Sequence, residues 1–553
     1  MKKTQLPKPQ SKKNFKLSRI DHLDKEYDLI IIGGGITGAN VLWDATLRGF
    51  KCLLVEKSDY ASGTSQATSK LIHGGLRYLK NLEFSLVRES LKERRVLAKI
   101  GPHSVRPLGF IIPIHSFFER IVLWAGMLLY NFLSFDRNQE IVSDTHIPRF
   151  IWNSKSETIY KSFPLSRNSL IGSYQYYDYM NINPEYHTCE FIFSAKARGA
   201  HALNYTNVNY ITKQYSGGYS INVSDTETGK ERTVSAKVVV NCAGPWADII
   251  EAMAGISTEK KILRSKGIHA VVRNICSKEC IILKKKDGSH LFVIPWRNQT
   301  IIGTTDTIFD NHPDSFEVTE SEIKNLLDEV NSSFGLAPLK LDDVVYYYGG
   351  LRPLVEDADS KKETYSASRK SEIMNYTAEG FAGFFSALGG KYTTSRNVSE
   401  KLMDQVSFFL KKERILCQSD KQTLIGGDFT SRKELVEQLT TQFPNENGLK
   451  LETLAGRYGK ETFRILSLSG KEKYQLPNGE LLYEEEIEYA VKFLDIIHAT
   501  DFYFRRSGAG TVGKINAMDR KKIDEKLAKG LGWDIKRARI EASLVDKRYE
   551  WAK

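Results

Sequence analysis

The chain has 553 residues, 41% of them hydrophobic and 26% charged, which is enough for about three domains and leaves little room for wholesale disorder. Its formal charge of +12 sits mainly at the ends: residues 1–26 hold eight Lys/Arg against three Asp/Glu, and residues 511–553 hold twelve against seven. That placement argues against a nucleic-acid enzyme, whose cations would surround its working groove, and suits an anionic membrane surface, although a solvated tail explains the N-terminal excess equally well. The six cysteines are scattered, with no CxxC and no His/Cys pair at zinc-ligand spacing, which fits a reduced compartment and predicts no metal site.

Residues 1–26 read as a flexible basic arm without the apolar stretch of a signal peptide. Order is expected from Tyr27. "YDLIII" is a continuous apolar strand, "GGGITG" a turn, Ala39 to Arg48 a helix, and "KCLLVEK" a second buried strand, together a βαβ unit. Gly33, Gly35 and Gly38 complete GxGxxG between that strand and that helix, where a pyrophosphate is held by a helix N-terminus. Glu56, at the end of the second strand, has the place and charge to accept hydrogen bonds from a ribose and to repel a 2′-phosphate. Strand, helix and acid together point to a dinucleotide.

After Glu56 comes "SDYASGTSQATSKLIHGG", where a nicotinamide enzyme would turn to its next strand. Its Thr64, Ser65 and Ser69 hydroxyls continue along a pyrophosphate, and Gly74 and Gly75 allow a flat ring to approach, which favours FAD. His73, Arg77 and Tyr78 flank those glycines. Glu83 to Ile100 has apolar residues at helical spacing among charges suited to an outer face, and reads as a long surface helix. Leu108 to Pro113 begins a second, antiparallel sheet that resumes over about 267–345, in Gly267–Arg273, Ile281–Leu283, Leu291–Ile294 and Thr300–Gly303. Between them, the apolar run Ile121 to Phe135 is shorter than the roughly 20 residues of a membrane span and reads as a buried or membrane-surface helix.

"AKVVVNCAGPWA" repeats the pattern of strand, glycine (Gly244) and helix start from Trp246. "LGGK" leads through Gly390 and Lys391 into Thr393 and Thr394, which open a helix able to present backbone amides to a flavin. From about residue 421 the patterns are helical, including Glu484 to Ala499 and two Lys/Arg-rich helices after Met518, and predict a separate C-terminal domain over 421–553.

The segments "DLIIIGGGITGA", "SGTSQATSKLIHGGLRYL", "VVVNCAGPWAD", "FVIPWRNQTIIGTTD", "GGLRPL" and "LGGKYTTSR" resemble, in order and separation, the FAD-dependent glycerol-3-phosphate dehydrogenases. The resemblance is close over about residues 27–410, and "KLIHGGLRYL" and "GGKYTT" are its most specific parts. It implies an α/β fold: over 27–420 a Rossmann-like FAD-binding domain interleaved with an antiparallel-sheet substrate domain, then a C-terminal helical domain. It further implies oxidation of sn-glycerol 3-phosphate to dihydroxyacetone phosphate, a membrane quinone as acceptor, and a cytoplasmic enzyme peripheral on the inner face of the cell membrane, with a homodimer allowed. A glycerol-3-phosphate oxidase passing electrons to oxygen is the alternative.

A small dianion with a secondary alcohol needs cations and a proton acceptor. Arg77 and Arg352 offer planar forks to phosphate oxygens, and Tyr78 adds a neutral donor. Lys391 neutralises phosphate or, with a depressed pKa, takes a proton. His73, with the more suitable ordinary pKa, ranks first as general base. His269 in "SKGIHAVV" reads as structural. Cys242 before the alanine of "NCAGPW" and the longer N-terminal arm depart from the bacterial pattern without touching this chemistry, and no calcium-binding loop follows residue 420.

Overall fold

The computed structural model describes residues 19–552 other than 163–167, 258–260, 286–288, 334–337, 357–370 and 413–414. Most of the basic arm, residues 1–18, lies outside the described residues. Its last part is ordered, however. Arg19–His22 form a short turn, Ile20 is fully buried, and Arg19 donates to the Asn204 side chain at 2.7 Å. Ordered chain therefore begins before Tyr27, because Ile20 and Leu23 complete an apolar cluster with Tyr27, Val208 and Ile221.

Two sheets organise the molecule. In the first, β1 (Glu26–Ile32) and β2 (Cys52–Val55) are apolar on both faces, as strands covered on both sides must be. Parallel pairing runs through Phe384–Gly389, Glu231–Asn241, β1, β2 and His201–Leu203, with Ser371–Asn375 antiparallel at one edge. Helix α1 (Ile36–Leu47) follows β1. The carboxyl ends of β1 and Glu231–Asn241 thus lie side by side, where open parallel sheets bind ligands.

The second sheet has ten strands. The expected strands are present as Val105–Ile114, Lys261–Arg273, Cys280–Lys284, His290–Trp296 and Gln299–Gly303. It is antiparallel except that Cys280–Lys284 runs parallel to Val105–Ile114. Gly172–Asn181 pairs along the whole of Val105–Ile114. Its sequence GSYQYYDYMN escapes the reading because tyrosines fall on both faces and blur the alternation. Leu71–Ile72, inside the Ser/Thr-rich stretch, adds to its edge. The chain thus passes from the first sheet to the edge of the second before residue 72.

Helix α2 (Phe84–Ile100) differs from the expected surface helix, since Glu93 and Arg94 are buried. Arg396 donates to Glu93 at 2.6 Å through two nitrogens, and Arg94 pairs with Asp178. Ion pairs from other elements let charged residues face inward here. Helix α3 (Phe117–Leu133) carries the apolar run and buries only Met127 and Tyr130. Phe118 is 77% exposed, Trp124 50% and Phe132 72%. Among the described residues no helix is long and apolar enough to cross a membrane.

The region after residue 420 is helical apart from a small hairpin, Lys473–Gln475 with Leu481–Tyr483. The helix expected over Glu484–Ala499 stops at Phe493, because the Asp501 carboxylate takes the amides of Ile497 and His498 and starts a new turn. Phe502–Arg506 then winds as a π-helix, with both Arg505 and Arg506 donating to Asp59 of the first sheet's loop. Burial pushes the Asp59 carboxyl up, but the two guanidiniums overcome it and hold it at about 2. One apolar cluster runs from Trp43 and Tyr60 through Leu454 and Tyr489 to Val545, so the helical region shares its core with the rest.

Candidate active site

The glycines between β1 and α1 serve distinct steric needs. Gly33 has φ 110°, and a Cβ there would lie 2.5 Å from the Cys242 carbonyl oxygen. One on Gly38 would lie 2.0 Å from the Gly33 carbonyl, so Gly38 packs helix on strand. At Gly35, α1 begins without a side-chain cap, and the Ile36 amide donates to Ser65 Oγ at 2.8 Å. Beyond this helix start lies a cavity of about 1040 Å³. Gly33, Gly35, Glu56, Thr64, Ser65, Gly244, Gly390 and Lys391 line it.

This wall fits a dinucleotide. The positive end of α1 faces the cavity, with backbone close by and no Cβ to block approach. Glu56 accepts from the amides of Gly34 at 2.7 Å and Ser58 at 2.9 Å. Burial pushes its pKa up, opposed by those two amides, which fix the carboxylate at the cavity edge.

Other expected cofactor residues stand behind this wall. A Cβ on Gly74 would fall 2.3 Å from Leu91 Cδ2 and 2.4 Å from the Tyr130 hydroxyl, so its glycine is required by packing. Gly75, with φ 73°, lies against the Tyr78 ring. Thr393 and Thr394 are buried at the start of helix Ser395–Phe409. Ser69 Oγ bonds the His269 ring Nε2 at 2.9 Å.

The side chains expected to act on the substrate form two groups. In the first, Lys391 holds Nζ 3.8 Å from the Tyr78 ring centroid and donates to Ser90 Oγ at 3.5 Å. Arg77 Nη2 donates to the Tyr78 hydroxyl at 3.1 Å. His73, half-buried beside them, accepts from the Gly75 amide on Nδ1 at 3.1 Å. The neutral ring therefore carries its proton on Nε2 and its lone pair on Nδ1.

Arg352 leads the second group. It donates to Ser265 Oγ at 3.3 Å, to the Thr305 carbonyl at 3.1 Å and to Thr304 Oγ1 at 2.5 Å. Its strand, Val344–Glu356, lines the cavity through Gly349, Gly350 and Leu351. Gly267 on the paired strand makes the room, since a Cβ there would lie 2.0 Å from Arg352 Nη2. His269 stacks on Tyr348 with centroids 4.8 Å apart. Burial holds its pKa well below the ordinary value, and nearby Arg352 and Lys70 add to that. Ser69 thus ties the stretch 69–78 to this group, while Tyr78 ties it to Lys391.

Two contributors escape the sequence reading. Lys70 is buried, pairs with Glu185 at 2.6 Å and lies 5.2 Å from the Tyr348 ring centroid. Arg505 lines the cavity from the helical region. The adjacent arginines in an otherwise apolar FYFRR were the one available signal.

The model of the FAD dependent oxidoreductase family matches residues 28–396, and that of the C-terminal domain of alpha-glycerophosphate oxidase matches residues 417–538. The aerobic glycerol-3-phosphate dehydrogenase of Staphylococcus aureus strain MRSA252 is 32% identical over 501 residues, covering 87% of each chain. The solved glycerol-3-phosphate dehydrogenase of Bacillus halodurans, complexed with FAD, aligns with a TM-score of 0.74 at 25% identity over 95% of both chains. The L-alpha-glycerophosphate oxidase of Mycoplasma pneumoniae shares the fold, with a TM-score of 0.52 at 16% identity over 72% of this chain and 99% of that one.

Proposed function

The chain belongs to the family of FAD-dependent glycerol-3-phosphate dehydrogenases, and from that premise we propose that it oxidises sn-glycerol 3-phosphate to dihydroxyacetone phosphate and delivers the electrons to a membrane quinone. Bound in the cavity, FAD supplies the acceptor for the hydride. The chain's own residues bind the dianion and take the hydroxyl proton. The carrying observation is that Lys391, on the cavity wall, shares one cluster with Tyr78 and Arg77.

An aromatic face favours the charged form of an amine, so Lys391 suits phosphate rather than proton abstraction. Arg77 and Arg352 add planar forks for its oxygens. His73 is then the base, its lone pair on Nδ1 becoming available when the contact with the Gly75 amide opens.

The exposed apolar face of α3 supports a peripheral membrane site and hence a quinone acceptor. The C-terminal lysines are a weaker anchor: Lys526 pairs with Glu484, and Lys522 lies 3.7 Å from Glu472, which offsets part of the charge. Oxygen as acceptor is the second reading, favoured by the match of residues 417–538 to an oxidase domain. Anaerobic stopped-flow tests both halves. Glycerol 3-phosphate should bleach the flavin absorbance, and a soluble quinone should restore it much faster than air-saturated buffer. No bleaching would reject the substrate, and faster reoxidation by oxygen would make the protein an oxidase.

A further inference from the structure

The cavity wall also includes the end of the chain: Lys547, Arg548, Glu550, Trp551 and Ala552. These residues leave the helix Ile535–Asp546 and cross to the second sheet. The segment is tied down at each step. Arg548 Nη2 donates to the Tyr346 hydroxyl at 3.1 Å. The Tyr549 hydroxyl donates to the carbonyls of Gly510 at 2.8 Å and Gly513 at 3.1 Å. Trp551 stacks flat on Tyr347, with centroids 4.4 Å apart and planes 16° apart, and the Tyr347 hydroxyl donates to the Glu550 carbonyl.

The band continues past Trp551. Ala552 pairs with Thr319 in an isolated parallel bridge, and the preceding loop, 312–318, also lines the cavity. Asp314 in that loop accepts from Trp246 Nε1 and from Lys57 Nζ, both at 2.7 Å. Lys57 follows Glu56, and Trp246 stands two residues after Gly244, so both belong to the dinucleotide side. The chain end and the loop therefore form one strip from the helical region across the second sheet to the rim of the first.

We propose that residues 547–552 are a strap that closes the dinucleotide cavity and sets how slowly FAD leaves. The inference rests on the cavity holding FAD. A ligand behind a band anchored on both sides leaves only when the band lifts, so the strap acts on the dissociation rate. Of its charged residues on the wall, Lys547 and Arg548 outnumber Glu550, so the strap brings net positive charge to a site for a pyrophosphate, where opposite charge favours binding.

The test is FAD release from purified holoprotein after dilution, followed by the rise in flavin fluorescence. A chain ending at Asp546, a Trp551→Ala variant and a Trp551→Phe variant are compared with the parent. Truncation and Trp551→Ala should release FAD about tenfold faster or more, and Trp551→Phe, which keeps a ring on Tyr347, should stay near the parent. Circular dichroism at saturating FAD should match the parent in all three. Parent-like release from both the truncated and the alanine forms would overturn the strap while leaving the FAD reading intact. Faster release accompanied by lost helical signal would also overturn it, since the segment would then act through folding. A parent that holds no flavin would reject strap and cofactor reading together.

Discussion

Lys391 holds its ammonium group 3.8 Å from the ring centroid of Tyr78, although one residue follows the last parallel strand and the other the first βαβ unit. A charge-assisted bond to substrate contributes about 1.5–3 kcal/mol, roughly a 10- to 100-fold effect on binding. Lys391→Met should therefore raise KM for glycerol 3-phosphate by about that factor with a smaller fall in kcat. His73→Ala should do the reverse: FAD and KM kept, and flavin reduction slowed roughly a hundredfold. Single-turnover reduction of both variants decides between them. If the lysine variant loses kcat at normal KM while the histidine variant reduces flavin normally, the roles are exchanged.

Gly267 and Arg352 give a second prediction. A Cβ at 267 would sit 2.0 Å from Arg352 Nη2, so Gly267→Ala must displace the guanidinium from Ser265 and Thr304. It should lower kcat/KM by about 10- to 100-fold, part of the loss caused by Arg352→Ala. Arg352→Lys should recover only a fraction, lacking the fork. Normal kcat/KM in Gly267→Ala with Arg352→Ala also active would take Arg352 out of the substrate site.

His498 provides the pH dependence. Burial works against its charge, but bonds to Glu227 and Glu541 outweigh that and raise its pKa to about 9. Arg537 stands beside the ring and pairs with both carboxylates. A raised folded pKa adds stability that is complete below the ordinary imidazole value and is lost as pH rises through 9. Allowing for partial solvent screening, the loss is about 1–2 kcal/mol between roughly pH 6.5 and 9.5. The parent should therefore exceed a His498→Gln variant in melting temperature at pH 6.5 and converge on it at pH 9.5. A constant gap would remove His498 from the pH response.

Vesicle binding tests α3. Phe118, Trp124 and Phe132 are large and exposed, and burying such a side chain is worth about 1.5–3 kcal/mol. Changing all three to Gln should lower co-sedimentation with anionic vesicles more than tenfold at any salt concentration. Changing Lys521, Lys522, Lys526 and Lys529 to Gln should weaken it less, and only at low salt, since charge attraction is screened. Parent-like binding by the triple variant would transfer the membrane role away from α3.

The amino-acid sequence by itself determined what a short window of backbone can specify. Gly33 and Gly244 take a positive φ, Gly38 leaves the Gly33 carbonyl unobstructed, and Glu56 accepts from the neighbouring amides of Gly34 and Ser58; of these residues and Gly35, all but Gly38 line the cavity. Tertiary structure alone decided what long-range pairing supplies. The glycine at 74 answers Leu91 and Tyr130, which no spacing in "LIHGGLRYL" reveals. Glu93 reads as an outward charge until Arg396 comes to it from a distant helix. Arg505 and Arg506, adjacent in the apolar run FYFRR, have no visible partner in the sequence until Asp59 gives them a buried one. Trp551, like Tyr549, stands among charged residues with no visible packing partner until Tyr347 lies flat against it. A charge is driven inward only by a partner that desolvates with it, a ring only where another element supplies a face to cover it, and both are fixed by how the two sheets and the helical region pack.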